Sequence, residues 1–229
     1  MTTVAIPVDP IQVIVSGLFQ QPAGARALYL LAHGAGAGMR HPFLADLAAA
    51  LADRGVATLR YQFPYMELGR GRPDPPLVAT ATVRSAVEKA GELAPGLPLF
   101  AGGKSFGGRM TSTAASESGL QPVAGLIFLG FPLHYPKVPA VTRADHLAAV
   151  PQPMLFLQGT KDEMADIGLL RQVVAGLGPR ATLVEIAGGN HSFAVPKRAG
   201  KSPAEVIAAL ADSIAEWTAR RGTERPVKP

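Results

Sequence analysis

Short apolar runs alternate with stretches of helical periodicity from residue 27 onward, the pattern of βα units built around a parallel sheet. The predicted strands are Ala27–Leu31, Ala57–Tyr61, Leu97–Ala101, Gly125–Leu129, Met154–Leu157 and Thr182–Ile186. Each is nearly all apolar and bounded by glycine, proline or charge, as strands covered on both faces are. Two earlier segments, Val4–Pro7 and Ile11–Val15, are expected to add antiparallel strands at one edge. Between them, Pro42 suits a first helical position, with Leu44, Leu47 and Leu51 at helical spacing and Gly55 ending the run. Further helices are predicted over Val78–Ala94, after Ser105, and over Asp166–Leu177. The last helix opens on a capping box, Ser202-Pro203-Ala204-Glu205, and carries a stripe of Val206, Ile207, Leu210, Ile214 and Trp217. The expected architecture is one α/β domain over residues 1–219, a mostly parallel central sheet flanked by helices, followed by a flexible basic tail at 220–229.

Composition narrows the chemistry. The 229 residues include no cysteine, which excludes a disulfide framework, a thiolate metal site and a cysteine nucleophile. The formal charge is +5, but four of the 22 basic residues (Arg220, Arg221, Arg225, Lys228) follow Ala219 with only Glu224 against them. No run of lysine and arginine elsewhere forms the footprint of a phosphate backbone, so nucleic acid is not an expected partner. The most apolar run, Val123–Leu133, is broken by Gly125, Gly130 and Pro132 and is far short of the ~20 residues of a membrane span. Met1–Pro7 has no basic segment ahead of an apolar one, and a cytoplasmic location is expected.

Against that background, Gly103-Lys104-Ser105-Phe106-Gly107 matches GxSxG, in which a serine sits on a sharp strand-to-helix turn. The motif is short enough to arise by chance. Its placement gives it weight, because a predicted strand runs into it and a predicted helix leaves it. A nucleophilic serine needs a base, and the base an orienting acid. His191 follows the last predicted strand in Gly188-Gly189-Asn190-His191, and Asp162 follows Met154–Leu157 in Gly159-Thr160-Lys161-Asp162. The chain order serine, acid, histidine is that of the α/β hydrolases, and all three residues follow the carboxyl ends of parallel strands. His41, His134 and His146 are weaker candidates for the base. Glu163, Asp166 and Asp145 are rivals for the acid, and a lone aspartate after a strand also serves as a helix cap.

An oxyanion formed on an acyl substrate needs two backbone donors. One is the Phe106 N–H; the other is assigned to Ala35, with Gly34 and Gly36 as alternatives, in the loop His33-Gly34-Ala35-Gly36-Ala37-Gly38. Neither GxGxxG nor GxxxxGK[ST] fits that loop, and His33 is expected to be a structural hydrogen-bonding residue.

The segments HGAGAGM, RYQFPYME, GGKSFGGRM, GFPLHYP, QGTKDE and GGNHSF together resemble the compact, lidless α/β-hydrolase family related to dienelactone hydrolase, over Ala27–Arg220. That family also holds the eukaryotic testis-expressed protein thirty and the third subunit of the NSL histone-acetyltransferase complex. The resemblance implies a triad of Ser105, Asp162 and His191. The dienelactone hydrolases themselves use a cysteine nucleophile, which this chain lacks, so their substrate does not carry over.

The expected function is hydrolysis of an ester, thioester or related acyl bond of a small soluble substrate, without metal or organic cofactor. A non-catalytic interaction module on the same fold is the alternative, and a peptidase or lyase a third reading. About 24 proline-rich residues separate Leu129 from Met154, too few for a lid domain. The site is therefore expected to be open, with His134, Tyr135 and Tyr65 as candidate substrate-binding residues.

Overall fold

The computed structural model describes residues 1–196 and 200–222. Eight strands form one sheet: β1 (Thr2–Val8), β2 (Val13–Gln20), β3 (Ala27–Ala32), β4 (Val56–Tyr61), β5 (Leu99–Lys104), β6 (Gly125–Leu129), β7 (Met154–Gly159) and β8 (Ala181–Ile186). Their order is β1-β2-β4-β3-β5-β6-β7-β8. β1 pairs antiparallel with β2 and β2 antiparallel with β4, and the other pairs are parallel. The expected antiparallel edge is present but shifted. Asp9–Ile11 forms a 3-10 turn, and Gln12 reverses the chain at φ 52°, so β2 begins at Val13 rather than Ile11.

Six helices cover the two faces: α1 (Pro42–Ala52), α2 (Pro64–Glu67), α3 (Pro76–Leu93), α4 (Phe106–Ser118), α5 (Ile167–Leu177) and α6 (Pro203–Gly222). The alternation along each strand divides the core in two. Leu126 and Phe128 of β6 pack with residues of α3, α4 and α5, such as Val83, Met110 and Leu170. Ile127 and Leu129 face the other way, onto Leu44, Leu47 and Leu51 of α1 and Leu210, Ile214 and Trp217 of α6. A strand with helices on both faces has no polar side, which is why these runs read as continuously apolar.

The helix signals act as read. His41 accepts from the Phe43 N–H ahead of Pro42. Ser202 and Glu205 close the capping box reciprocally, with Glu205 N–H on Ser202 Oγ at 3.2 Å and Ser202 N–H on Glu205 Oε2 at 2.7 Å. α6 runs to Gly222, so the boundary expected after residue 219 falls inside it. Arg220 pairs with Glu216 at 3.8 Å, and Arg221 lies 5.9 Å from the Trp217 ring centroid. Residues 223–229 of the expected tail lie outside the described residues. No described helix is long and apolar enough to cross a membrane.

The central strand β5 departs most usefully from its predicted range. It starts at Leu99 rather than Leu97 and continues through Lys104, because Gly102, Gly103 and Lys104 still pair with Ile127, Phe128 and Leu129 of β6. Gly102 and Gly103 adopt φ of +153° and +146°. A Cβ on Gly103 would lie 2.2 Å from the Ala32 carbonyl oxygen, and one on Gly102 1.8 Å from that of Ile127. Neither position admits a side chain. Gly103→Ala is expected to destabilise the protein by more than ~4 kcal/mol. Gly71→Ala, whose Cβ meets nothing within 4 Å, should stay within ~0.5 kcal/mol of the parent. Urea unfolding of the pair checks the contrast, and equal losses would refute it.

Candidate active site

β5 delivers the chain to Ser105 at full extension, and α4 starts one residue later. The turn is closed by Ser105 itself, at φ 49° and ψ −112°, a conformation that costs an L-residue about 1–3 kcal/mol. The Ser105 N–H donates to Leu129 O at 3.1 Å, tying the turn to the end of β6. Its hydroxyl meets His191, which the loop after β8 carries in from the other side of β6 and β7. His191 Nε2 lies 2.9 Å from Ser105 Oγ, and His191 Nδ1 lies 2.8 Å from Asp162 Oδ2. With the carboxylate on Nδ1, the proton of a neutral ring belongs there and Nε2 is left to accept from the serine. The His191 side chain is 16% exposed and that of Asp162 is fully buried.

Asp162 is held by more than the histidine. Gln158 Nε2 donates to its Oδ2 at 2.6 Å and the Met164 N–H to its Oδ1 at 2.8 Å. Gln158 is itself locked by the Phe131 N–H on its Oε1 at 2.8 Å. The rivals are occupied elsewhere. Asp166 caps α5 through the Leu169 N–H, Glu163 Oε2 is 3.4 Å from the backbone N–H of His191, and Asp145 is exposed on a 3-10 helix at Thr142–Ala149. Asn190 Oδ1 accepts from the N–H groups of Ser192 and Ala194 and shapes the loop that presents His191.

A second serine–histidine contact exists on α4, where Ser112 Oγ lies 2.8 Å from His146 Nε2. Ser112 is fully buried, its hydroxyl already donates to Arg109 O, and neither residue borders the cavity described below. Burial, then the Arg109 charge, lowers the His146 pKa below its ordinary value. This pair joins two packed elements and has no access for a substrate.

Behind Ser105 the loop after β3 is braced by aromatic rings. His33, fully buried, donates from Nδ1 to Gly34 O at 2.8 Å and accepts the Phe63 N–H on Nε2 at 3.0 Å. Burial brings its pKa down to about 4, so the ring is neutral and structural, as expected. Phe63 packs edge-on against His33 and Phe106, at centroid distances of 5.0 and 5.2 Å. Tyr65 donates its hydroxyl to Ala35 O at 2.9 Å. Ala35 and Phe106, the residues expected to supply oxyanion donors, border the same cavity as Ser105.

A cavity of about 1020 Å³ opens over Ser105, bordered by Ala35, Phe106, Pro132, Tyr135 and Met164. Of the three candidate substrate-binding residues, only Tyr135 is on this wall, 67% exposed. Tyr65 and His134 are corrected. Tyr65 is 1% exposed and spends its hydroxyl on the Ala35 loop, while His134 is 5% exposed with both ring nitrogens used, on Tyr135 O and the Asp166 N–H. Both support the wall from behind.

Two residues of the site were not singled out from the sequence. Gln158 had a faint signal, a polar residue near the end of an apolar strand. In the sequence Lys104 is only a variable position of GxSxG. Its stem is partly exposed, yet its amine is enclosed and makes no hydrogen bond among the described residues. Gly130, at φ +67°, makes room for it: a Cβ there would lie 3.1 Å from Lys104 Nζ and 3.5 Å from both Asp162 Oδ2 and His191 Nδ1. The amine also lies 5.7 Å from the Phe193 ring centroid.

An eight-stranded, mostly parallel sheet with a serine at the β5–α4 turn defines the α/β-hydrolase class. Within it, the chain belongs to the family described as alpha/beta hydrolase domain, which matches residues 25–219. Its fold is similar to that of dienelactone hydrolase from Anabaena variabilis, with 22% identity, 96% of this chain and 97% of that chain covered, and a TM-score of 0.77. A Xanthomonas campestris protein described as an α/β serine hydrolase without lid gives 21% identity, 100% and 96% coverage, and a TM-score of 0.72. The esterase domain of a Rhodothermus marinus protein gives 16%, 96% and 98%, and 0.70.

Burial lowers the Lys104 ammonium to about 8, against the opposing pull of Asp162 and Glu163. In the unfolded chain it titrates near 10.4. The unfolded state therefore binds more protons between these values, and stability should rise as the pH is raised from about 8 towards 10.4. Lys104→Met removes the buried charge and should stabilise the protein by about 2–3 kcal/mol at pH 7. That gain should shrink towards zero by pH 10. Urea unfolding of both proteins at the two pH values measures it; a variant less stable than the parent at pH 7 would refute the assigned strain.

Proposed function

We propose that the protein is a serine hydrolase that cleaves an ester, thioester or related acyl bond of a small soluble substrate through an acyl-enzyme on Ser105. The observation that carries this reading is the hydrogen-bonded chain from Ser105 Oγ through His191 to the buried Asp162 carboxylate. The names borne by the similar folds, a dienelactone hydrolase and an esterase among them, support it.

In the proposed mechanism Ser105 Oγ attacks the acyl carbon as its proton passes to His191 Nε2. Asp162 holds the ring orientation and favours the imidazolium that results. Charge on the substrate oxygen is met by the N–H groups of Phe106 and Ala35, donors aligned before reaction by the aromatic packing behind them. His191 then gives its proton to the leaving alcohol or thiol as the bond to the acyl carbon breaks. A water deprotonated by His191 attacks the acyl-enzyme, releasing a carboxylic acid and regenerating the serine. Each step uses groups of the chain itself.

Activity-based labelling tests the assignment. A fluorophosphonate should modify Ser105, and Ser105→Ala should abolish labelling and lower esterase turnover by orders of magnitude. Asp162→Asn should lose roughly 10³- to 10⁴-fold in kcat, and Glu163→Gln less than about tenfold. Labelling that persists in Ser105→Ala would overturn the nucleophile. A protein that neither labels nor turns over any ester would be an interaction module on this fold.

The segment between β6 and β7 carries only the 3-10 helix at Thr142–Ala149, and among the described residues no domain covers the cavity. An open site gives a long acyl chain little enclosed surface. Hydrolysis of 4-nitrophenyl esters should therefore favour short acyl chains and fall as the chain lengthens from acetate to palmitate, with no rate jump when triglyceride is emulsified. A palmitate preference with interfacial activation would refute the open-site reading.

A further inference from the structure

The cavity over Ser105 is also bordered by four arginines, Arg70, Arg72, Arg109 and Arg143, and by a single carboxylate, Asp74. They come from three separate segments. Arg70 and Arg72 lie between α2 and α3, Arg109 lies on α4, and Arg143 lies in the 3-10 helix that follows β6. Arg109 is one helical turn from the nucleophile, its backbone N–H bonded to Ser105 O at 3.0 Å. Arg143 stacks on Tyr135, with its guanidinium carbon 3.8 Å from the ring centroid, and reaches His134 O at 3.3 Å. Its plane is thereby fixed at the cavity wall.

The grouping is not explained by internal pairing. Elsewhere arginines are engaged by oxygens of the fold: Arg54 pairs with Asp212, Arg84 with Glu117 and Arg171 with Glu185, while Arg26, Arg60 and Arg180 donate to backbone carbonyls. Here Asp74 accepts the Tyr65 N–H and faces Arg70, while the Arg72 and Arg109 guanidiniums donate no hydrogen bond to a described residue. Arg109 is half-buried beside Arg143, and burial, followed by the Arg143 charge, lowers its pKa from the ordinary value. Drawing like charges together in a partly desolvated wall costs free energy unless an anion offsets it. A guanidinium is a planar fork of donors matched to carboxylate and phosphate oxygens, and it stays charged at any working pH.

We infer that the acyl substrate carries an anionic group, a carboxylate or a phosphate, held by Arg109 and Arg143 beside Ser105, with Arg70 and Arg72 completing the cationic lining. The inference rests on the reading of Ser105 as an acyl-transfer nucleophile. It adds the substrate class, which neither the family nor the triad specifies. The same charges would draw such a substrate into the open site from solution, an effect that salt weakens.

Three 4-nitrophenyl esters that differ only at the far end of the acyl chain test it: the valerate, which is neutral, the glutarate monoester, which ends in a carboxylate, and the 4-phosphonobutyrate. For wild type at low salt, kcat/KM for at least one anionic ester should exceed that of the valerate by roughly 10- to 100-fold, the range for hydrogen bonds to charged groups. The better of the two identifies the anion. In Arg109→Gln/Arg143→Gln the ratio should fall towards one, and 0.5 M NaCl should lower it in wild type; melting curves and fluorophosphonate labelling establish that the variant is folded. A wild-type ratio of one or less, with turnover through Ser105, overturns the anion site and leaves the hydrolase reading standing. A high ratio that survives the double substitution overturns the assignment to these arginines. Should Ser105 neither label nor turn over any ester, the hydrolase reading fails, and titration calorimetry with glutarate and with methylphosphonate decides the site by itself. Binding by wild type that the double variant loses upholds it, and no binding of either anion by wild type overturns it.

Discussion

The close approach of three backbones at the end of β5 is the constraint on which the site depends. β5 lies between β3 and β6 with Gly102 and Gly103 pressed against carbonyl oxygens of both neighbours. Only chain without side chains can run that deep and still keep its ladder bonds. The strand therefore ends at full extension against its partners, and the next residue must turn sharply into α4. Ser105 absorbs that turn in its own backbone. Its N–H is bound to Leu129 O, so the hydroxyl is held where β6, β7 and β8 release their loops. A less crowded strand could relax the turn and lose the direction of the serine.

Around that fixed point the structure arranges charge as much as shape. Asp162 is buried and accepts from His191, Gln158 and Met164, and the Lys104 amine is enclosed near it without a hydrogen bond to any described residue. A buried ammonium lowers the stability of the fold, a cost found where function and stability compete. Gly130 leaves the space into which these groups converge. The arginines that border the cavity form a second positive region. An anionic substrate would be attracted from outside, and the negative oxygen formed on it would meet backbone donors.

The loop after β3 is ordered by the aromatic residues packed against it. His33, Phe63, Tyr65 and Phe106 form one packed group, and their polar atoms are bonded to the Gly34 and Ala35 carbonyls and to the Phe63 N–H. A glycine-rich loop gains little order from its own residues. Here its carbonyls are held by the ring cluster, through His33 on Gly34 O and Tyr65 on Ala35 O. Tyr65 and His134 contribute through this kind of support rather than by touching what the cavity holds.

The sequence alone determined the layered α/β architecture, because strands buried on both faces must be apolar throughout and helices between them must show a single apolar stripe. It also determined the turn at Ser105 and the chain order of Asp162 and His191, since each stands at the end of a legible strand. Local chemistry decides such features, and local chemistry is written in neighbouring residues. The partners of Asp162, the enclosed amine of Lys104 and the withdrawal of Tyr65 and His134 into the wall were decided by packing between segments far apart in the chain. The cationic cavity is the plainest case. Arg70, Arg72, Arg109 and Arg143 form no basic run, and the chain through residue 219 reads as nearly neutral; their charges add only after the fold brings three separate segments to one opening, because Coulomb interactions depend on distance in space and not along the chain.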